Sequence, residues 1–200
     1  MAPVTQVLLI ANIAVYLLQA LAEPLLITSF ALWPMHAAAG ATAQPAFAPW
    51  QLVTYSFLHG GFTHLLFNML ALYMFGSDIE RVLGSRRYTL FYFVSVITAA
   101  LAQLTIAALG NSPPYPTVGA SGGVFGLLLA FGLFFPRRMV MLIFPPIPMP
   151  AWLFVTLYGA LELFLGVTGT QQGVAHFAHL GGMLGGYLTI RYWRARSPLR

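Results

Sequence analysis

Six polar side chains stand out in this chain by type and position: His59, His64, Asn68, Ser121, His176 and His179. A serine hydroxyl is a weak nucleophile until a base within hydrogen-bond reach takes its proton. Imidazole suits that task because it titrates near neutrality. Attack on an amide then develops an oxyanion, which preorganised N–H donors stabilise. Ser121 lies in the run Gly119-Ala120-Ser121-Gly122-Gly123, at the mouth of a long apolar stretch. Taken alone it reads as a helix N-cap, where serine is favoured. Taken with His179 it reads as a nucleophile with its base. His64 and Asn68 are four apart, so on a helix they share a face. Both side chains can donate, and the Ser121 backbone N–H, at a helix N-terminus, is a third donor. The set predicts a Ser–His dyad, with His64, Asn68 and the Ser121 N–H around the oxyanion. Asp78 falls at the far end of its apolar run, too distant to complete a triad.

The rest of the sequence says what must position these groups. The chain has 200 residues, 59% hydrophobic and only 6% charged. A soluble domain carries about a quarter charged residues, so this composition cannot cover a water-facing surface. The apolar runs do not alternate as barrel strands would, so the fold class is all-α. There is no cysteine, which excludes thiol catalysis, disulfides and cysteine metal sites.

A membrane span needs roughly 20 apolar residues. The runs predict spans over about residues 4–22, 62–75, 88–109, 121–135, 152–167 and 174–192. The expectation is a polytopic bundle of six transmembrane helices. It would be a single domain over 1–200, with no separate soluble domain and no cleaved leader. Residues 23–50, broken by four prolines and carrying Trp33 and Trp50, read as a membrane-embedded first loop. Glu23-Pro24 is expected to end the first span. FPPIPMP at 144–150 reads as loop, and 169–173 as a short polar turn.

All nine basic residues are arginines, and all lie at or after the end of the second, fourth or sixth span. The positive-inside rule then places both termini in the cytoplasm, and clustering of this kind points to topology rather than to nucleic acid. The six polar residues all fall at the opposite, outer end. At about 1.5 Å per residue they lie within a turn or two of that boundary. Gly122, Gly126 and Ala130 form one small-residue stripe; Ala178, Gly182 and Gly186 form another. Stripes of this spacing let helices approach closely, which would bring Ser121 beside His179.

These residues together resemble the rhomboid intramembrane serine proteases. The resemblance rests on Gly119-Ala120-Ser121-Gly122 as GxSG and Ala178-His179-Leu180-Gly181-Gly182 as AHxxG. It rests also on His59, His64 and Asn68 as H-x(4)-H-x(3)-N, on Glu80 to Gly84 as E-x-x-x-G, and on the FPPIP loop. It implies that Ser121 is the nucleophile and His179 the base, with the oxyanion donors named above. It implies supporting roles for His59, Gly119, Gly122, Phe125 and Gly182. The partners it implies are transmembrane protein substrates and the lipid bilayer; no metal or other cofactor is needed. The setting would be a bacterial plasma membrane, with the site opening outward and the loop near 168–174 capping it. Two positions depart from the pattern: Gln51 follows Trp50 where many bacterial members have arginine, and Phe125 stands where some have tyrosine.

Three rival readings share the same residues. A nucleophile elbow of a soluble α/β-hydrolase fits Gly119-x-Ser121-x-Gly123, but needs a preceding buried strand. A metal or transport site would use His59, His64, His176 and His179, yet H-E-x-x-H is absent. Glu162 is the only carboxylate inside a predicted span; it reads as a proton-relay group, or as a residue that pairs within the bundle or reaches the outer edge of a tilted fifth helix. A catalytically silent relative would bind transmembrane segments without cutting them.

Overall fold

The computed structural model describes residues 1–35, 45–109, 115–141, 146–169 and 174–196. Six helices of 14 residues or more make up the bundle. They are α1 (Pro3–Phe30), α3 (Phe62–Leu83), α4 (Ser85–Leu109), α5 (Ser121–Phe134), α6 (Ala151–Thr168) and α7 (His176–Arg196). A short helix α2 (Gln51–Thr54) and a 3-10 turn (Tyr55–Phe57) precede α3. By length and hydropathy, Pro3–Phe30, Ser85–Leu109 and Ala151–Thr168 are each long and apolar enough to cross a membrane; Ser121–Phe134 is apolar but shorter.

The helices present apolar side chains outward and keep polar ones inside. On α1, Thr5, Asn12 and Gln19 are buried, while Val7, Ile10, Leu17, Leu21 and Leu25 are exposed. On α6, Glu162 is buried while Trp152, Leu157, Leu161, Phe164 and Val167 face out. Water would reward the opposite arrangement; hydrocarbon rewards this one. The interior is filled by Leu72, Ile79, Tyr88, Phe91, Tyr92, Leu127 and Ile190.

Several boundaries differ from the sequence expectation. Residues 23–30 are helical, not loop, because Pro24 kinks α1 without ending it. The distortion falls on Ala22 (φ −145°, ψ 40°), where the proline ring and its missing N–H disturb the preceding turn. Helix α3 continues eight residues beyond Phe75, through Asp78 and Glu80, and stops at Gly84, whose φ of +75° suits a left-handed stop. Pro148–Pro150 is not loop but a strand, β2, paired antiparallel with β1 (Met139–Met141). Ala151 N–H donates to Arg138 O, so by alternation Val140 and Met149 are the hydrogen-bonded pair. Both prolines therefore occupy positions that need no N–H. Residues 36–44 of the first loop, 110–114, 142–145, 170–173 of the expected cap and the tail from 197 lie outside the described residues.

Helix α7 packs on α4 and α5, and glycine makes this close. A Cβ on Gly182 would collide with the carbonyl of Gly122, and one on Gly126 would sit 3.2 Å from the carbonyl of Gly182. The two small-residue stripes thus face each other. Arg138 pairs with Asp78, Arg87 lies over Trp193, and Arg194 lies over Phe134. These contacts gather the arginine-bearing helix ends at one end of the bundle. Ser121 and His179 lie in the first turns of their helices at the other.

Candidate active site

Ser121 is the first residue of α5, and Ala120, not Ser121, holds the N-cap position. The capping reading is thereby replaced: the hydroxyl is engaged elsewhere. The segment leading into it is pinned from two sides. Leu32 and Thr117 exchange backbone hydrogen bonds of 3.0 Å each, and Gly119 N–H donates to Tyr55 O at 3.0 Å. Gly119 has φ +126°, a conformation that favours glycine. A Cβ there would also lie 2.7 Å from Cε1 and Nε2 of His64. The imidazole of His64 therefore rests against the backbone two residues before Ser121.

Ser121 Oγ lies 2.9 Å from His179 Nε2. On the other side of the ring, His179 Nδ1 lies 2.9 Å from Glu162 Oε2. His176 Nδ1 approaches the same oxygen at 2.6 Å. Phe125 stacks on the His179 ring, with centroids 4.2 Å apart and planes 6° apart, and Tyr158 stacks on Phe125 at 5.2 Å. Phenylalanine, where some members have tyrosine, thus packs its ring on that of His179.

The expected oxyanion donors sit close by on α3. Asn68 is buried and donates one of its two amide protons to His64 O at 3.0 Å. Gly60 N–H points to His64 Nδ1 at 3.4 Å, which leaves Nε2 as the protonated nitrogen of a neutral ring. The first-turn N–H of Ser121 has no acceptor within its own helix. His59 supports the entry to α3. Its backbone N–H and C=O are both held by the Gln19 side chain, at 3.0 and 2.8 Å, and its ring meets His64 edge-on at 5.2 Å. Gln51, where arginine was a pattern residue, is buried and accepts from Trp33 N–H at 3.2 Å.

Glu162 is the group that sequence reasoning left outside the site. Spacing within α6 carries no sign of a neighbour on α7. A geometric signal was present. Only residues 169–175 separate α6 from α7, so a carboxylate two turns before one helix end must lie near residues one turn into the next. Asp78 is indeed remote; it pairs with Arg81 at 2.8 Å and with Arg138 at 2.6 Å. Glu162, His176 and His179 also offer ligand atoms that all lie within 4.8 Å of one another, the only such group among the described residues.

The family model described as Rhomboid domain matches residues 46–196. The chain belongs to the rhomboid family. It is similar to rhomboid protease GluP of Bacillus subtilis, 31% identical over 140 residues, or 69% of this chain and 25% of that protein. It is similar to the putative rhomboid protease YdcA of the same organism, 32% identical over 143 residues, covering 70% and 64%. With rhomboid protease AarA of Providencia stuartii it shares 30% over 168 residues, covering 76% and 58%. The matched stretch thus spans between a quarter and just under two-thirds of these relatives. The rhomboid match and the apolar helix surfaces make this an integral membrane protein.

Proposed function

We propose that this rhomboid is an intramembrane serine endopeptidase that hydrolyses peptide bonds in or next to transmembrane segments. The observation that carries the reading is the hydrogen bond of 2.9 Å between Ser121 Oγ and His179 Nε2. Ser121 Oγ attacks the scissile carbonyl carbon while its proton passes to His179 Nε2. The oxyanion is met by the Ser121 N–H, His64 Nε2–H and the free amide proton of Asn68. Collapse breaks the C–N bond, and the amine leaves with the proton from His179. Water then attacks the acyl-enzyme with the same base, releasing the acid and restoring Ser121.

The substrates would be transmembrane proteins, cut in a bacterial plasma membrane on its outer side. The test is cleavage of a reporter transmembrane substrate in liposomes by wild type, Ser121→Ala and His179→Ala. Wild type alone should cleave. Each variant should lose roughly 10⁶-fold in kcat, the scale of a soluble serine protease stripped of either residue. Cleavage that survives Ser121→Ala overturns the serine mechanism. A wild type that binds the substrate and leaves it intact overturns the enzymatic reading.

A further inference from the structure

We infer that Glu162 is a positioning residue that fixes His179 in the tautomer and orientation a general base needs. The inference rests on the proposed roles of Ser121 and His179.

The charge is the first argument. Glu162 is buried in an apolar helix, its side chain only 6% exposed. A carboxylate is retained in such a place when partners satisfy it, and here both partners are the Nδ1 atoms of α7 histidines. The second argument is tautomeric. An ionised carboxylate oxygen only accepts, so Nδ1 of His179 must carry the proton. In a neutral ring Nε2 is then bare, and Nε2 is the atom facing Ser121 Oγ. The reverse tautomer would put an N–H against the hydroxyl that has to be deprotonated. The third argument is mechanical. Phe125 fixes the plane of the ring, while Glu162 and Ser121 hold its two nitrogens from opposite sides. Rotation in that plane would break both bonds at once. The imidazolium formed during attack keeps its Nδ1–H directed at a negative charge.

His176 shares the same oxygen, and its Nε2 is buried without a partner among the described residues. It therefore acts on Glu162 and not on Ser121. The same three residues can be read as a metal set. Yet one oxygen lies at 2.6 and 2.9 Å from the two nitrogens, the separations of two donated hydrogen bonds.

The experiment is steady-state cleavage in liposomes by wild type, Ser121→Ala, Glu162→Gln and Glu162→Asp, each also assayed for thermal unfolding and in the presence of a metal chelator. Glu162→Gln should lower kcat by up to about 10⁴-fold, the loss seen when the acid of a soluble triad becomes its amide, with KM little changed. Glu162→Asp should recover at least part of that loss. A Glu162→Gln enzyme with wild-type kcat, beside an inert Ser121→Ala, overturns this inference and spares the serine reading. A loss that tracks a lowered unfolding temperature, with no recovery in the aspartate variant, makes Glu162 merely structural and also overturns it. Chelator sensitivity of wild type overturns it in favour of a metal. Nitrogen NMR of isotope-labelled histidine in wild type needs no variant to fold. His179 should be protonated on Nδ1 at neutral pH, and protonation on Nε2 instead would refute the assignment.

Discussion

At the scale of single residues, Asn68 is tied down and still available. One amide proton holds the His64 carbonyl, and the proposed oxyanion role uses the second. Asn68→Ala should therefore lower kcat by about 10²–10³-fold, the usual effect of one lost oxyanion donor, and leave KM nearly unchanged. A raised KM at constant kcat would mean that Asn68 only shapes the site. Gly119 is a backbone requirement of the same site. A methyl group there would meet His64 at 2.7 Å on a backbone held at φ +126°. Gly119→Ala should slow fluorophosphonate labelling of Ser121 by about 10²-fold, the scale of a ~1 Å misplacement of catalytic groups. Labelling at the wild-type rate would show that the strand of residues before Ser121 can move without consequence. Ser121, His179, His64 and Asn68 were legible in the sequence because each lies in a short motif or at helical spacing within one element. Glu162 was legible only in height: the short connection from α6 to α7 sets its level beside the α7 histidines, but nothing in α6 marks which of its faces meets α7.

At the scale of elements, two devices hold the helix ends. Glu80 accepts from the backbone N–H groups of Val4 and Thr5, from the Thr5 hydroxyl and from the Ser85 hydroxyl, at 3.0, 2.8, 2.8 and 2.7 Å. A carboxylate from α3 thus caps α1, where the helix dipole favours negative charge. Glu80→Gln turns part of that acceptor into a donor and should destabilise the protein by about 1–3 kcal/mol. Thermal unfolding in detergent reads this directly, and an unchanged unfolding temperature would leave α1 held by packing alone. The second device is the Gln19 clamp on His59, which buries that ring ahead of α3. Burial, followed by the proximity of His64, lowers the His59 pKa from 6.5 to about 4. Between those values the unfolded chain holds a proton that the folded chain excludes, so stability is lost as pH falls through that window. His59→Phe cannot charge and should lose less stability than wild type between about pH 6.5 and about pH 4. Parallel losses would exclude His59 as the source. The apolar runs located these helices, but not their ends. Pro24 looked like a terminator and is a kink, since the distortion is confined to Ala22 and the helix resumes to Phe30. Asp78 and Glu80 looked like the end of a helix and lie within it, since both find partners at its margin.

At the scale of the whole molecule, the bundle has two unlike ends. One gathers Arg87, Arg138 and Arg194 against Trp193, Asp78 and Phe134; the other carries Ser121, His179 and the α3 histidine. Charge alone orients such a body in a membrane. Arginines stay on the cytoplasmic side, so the end carrying Ser121 should face outward, where water would reach the proposed acyl-enzyme without crossing hydrocarbon. The absence of cysteine makes the orientation measurable, because any thiol introduced is the only one present. Tyr115 is exposed at the site end, and Arg86 is exposed at the arginine end. In intact cells a membrane-impermeant maleimide should label Tyr115→Cys at once. It should label Arg86→Cys only after permeabilisation. The inverse pattern would turn the molecule over and place cleavage on the cytoplasmic face. Labelling of both in intact cells would mean that the arginine end does not hold its side of the bilayer, and the charge argument would fail with it.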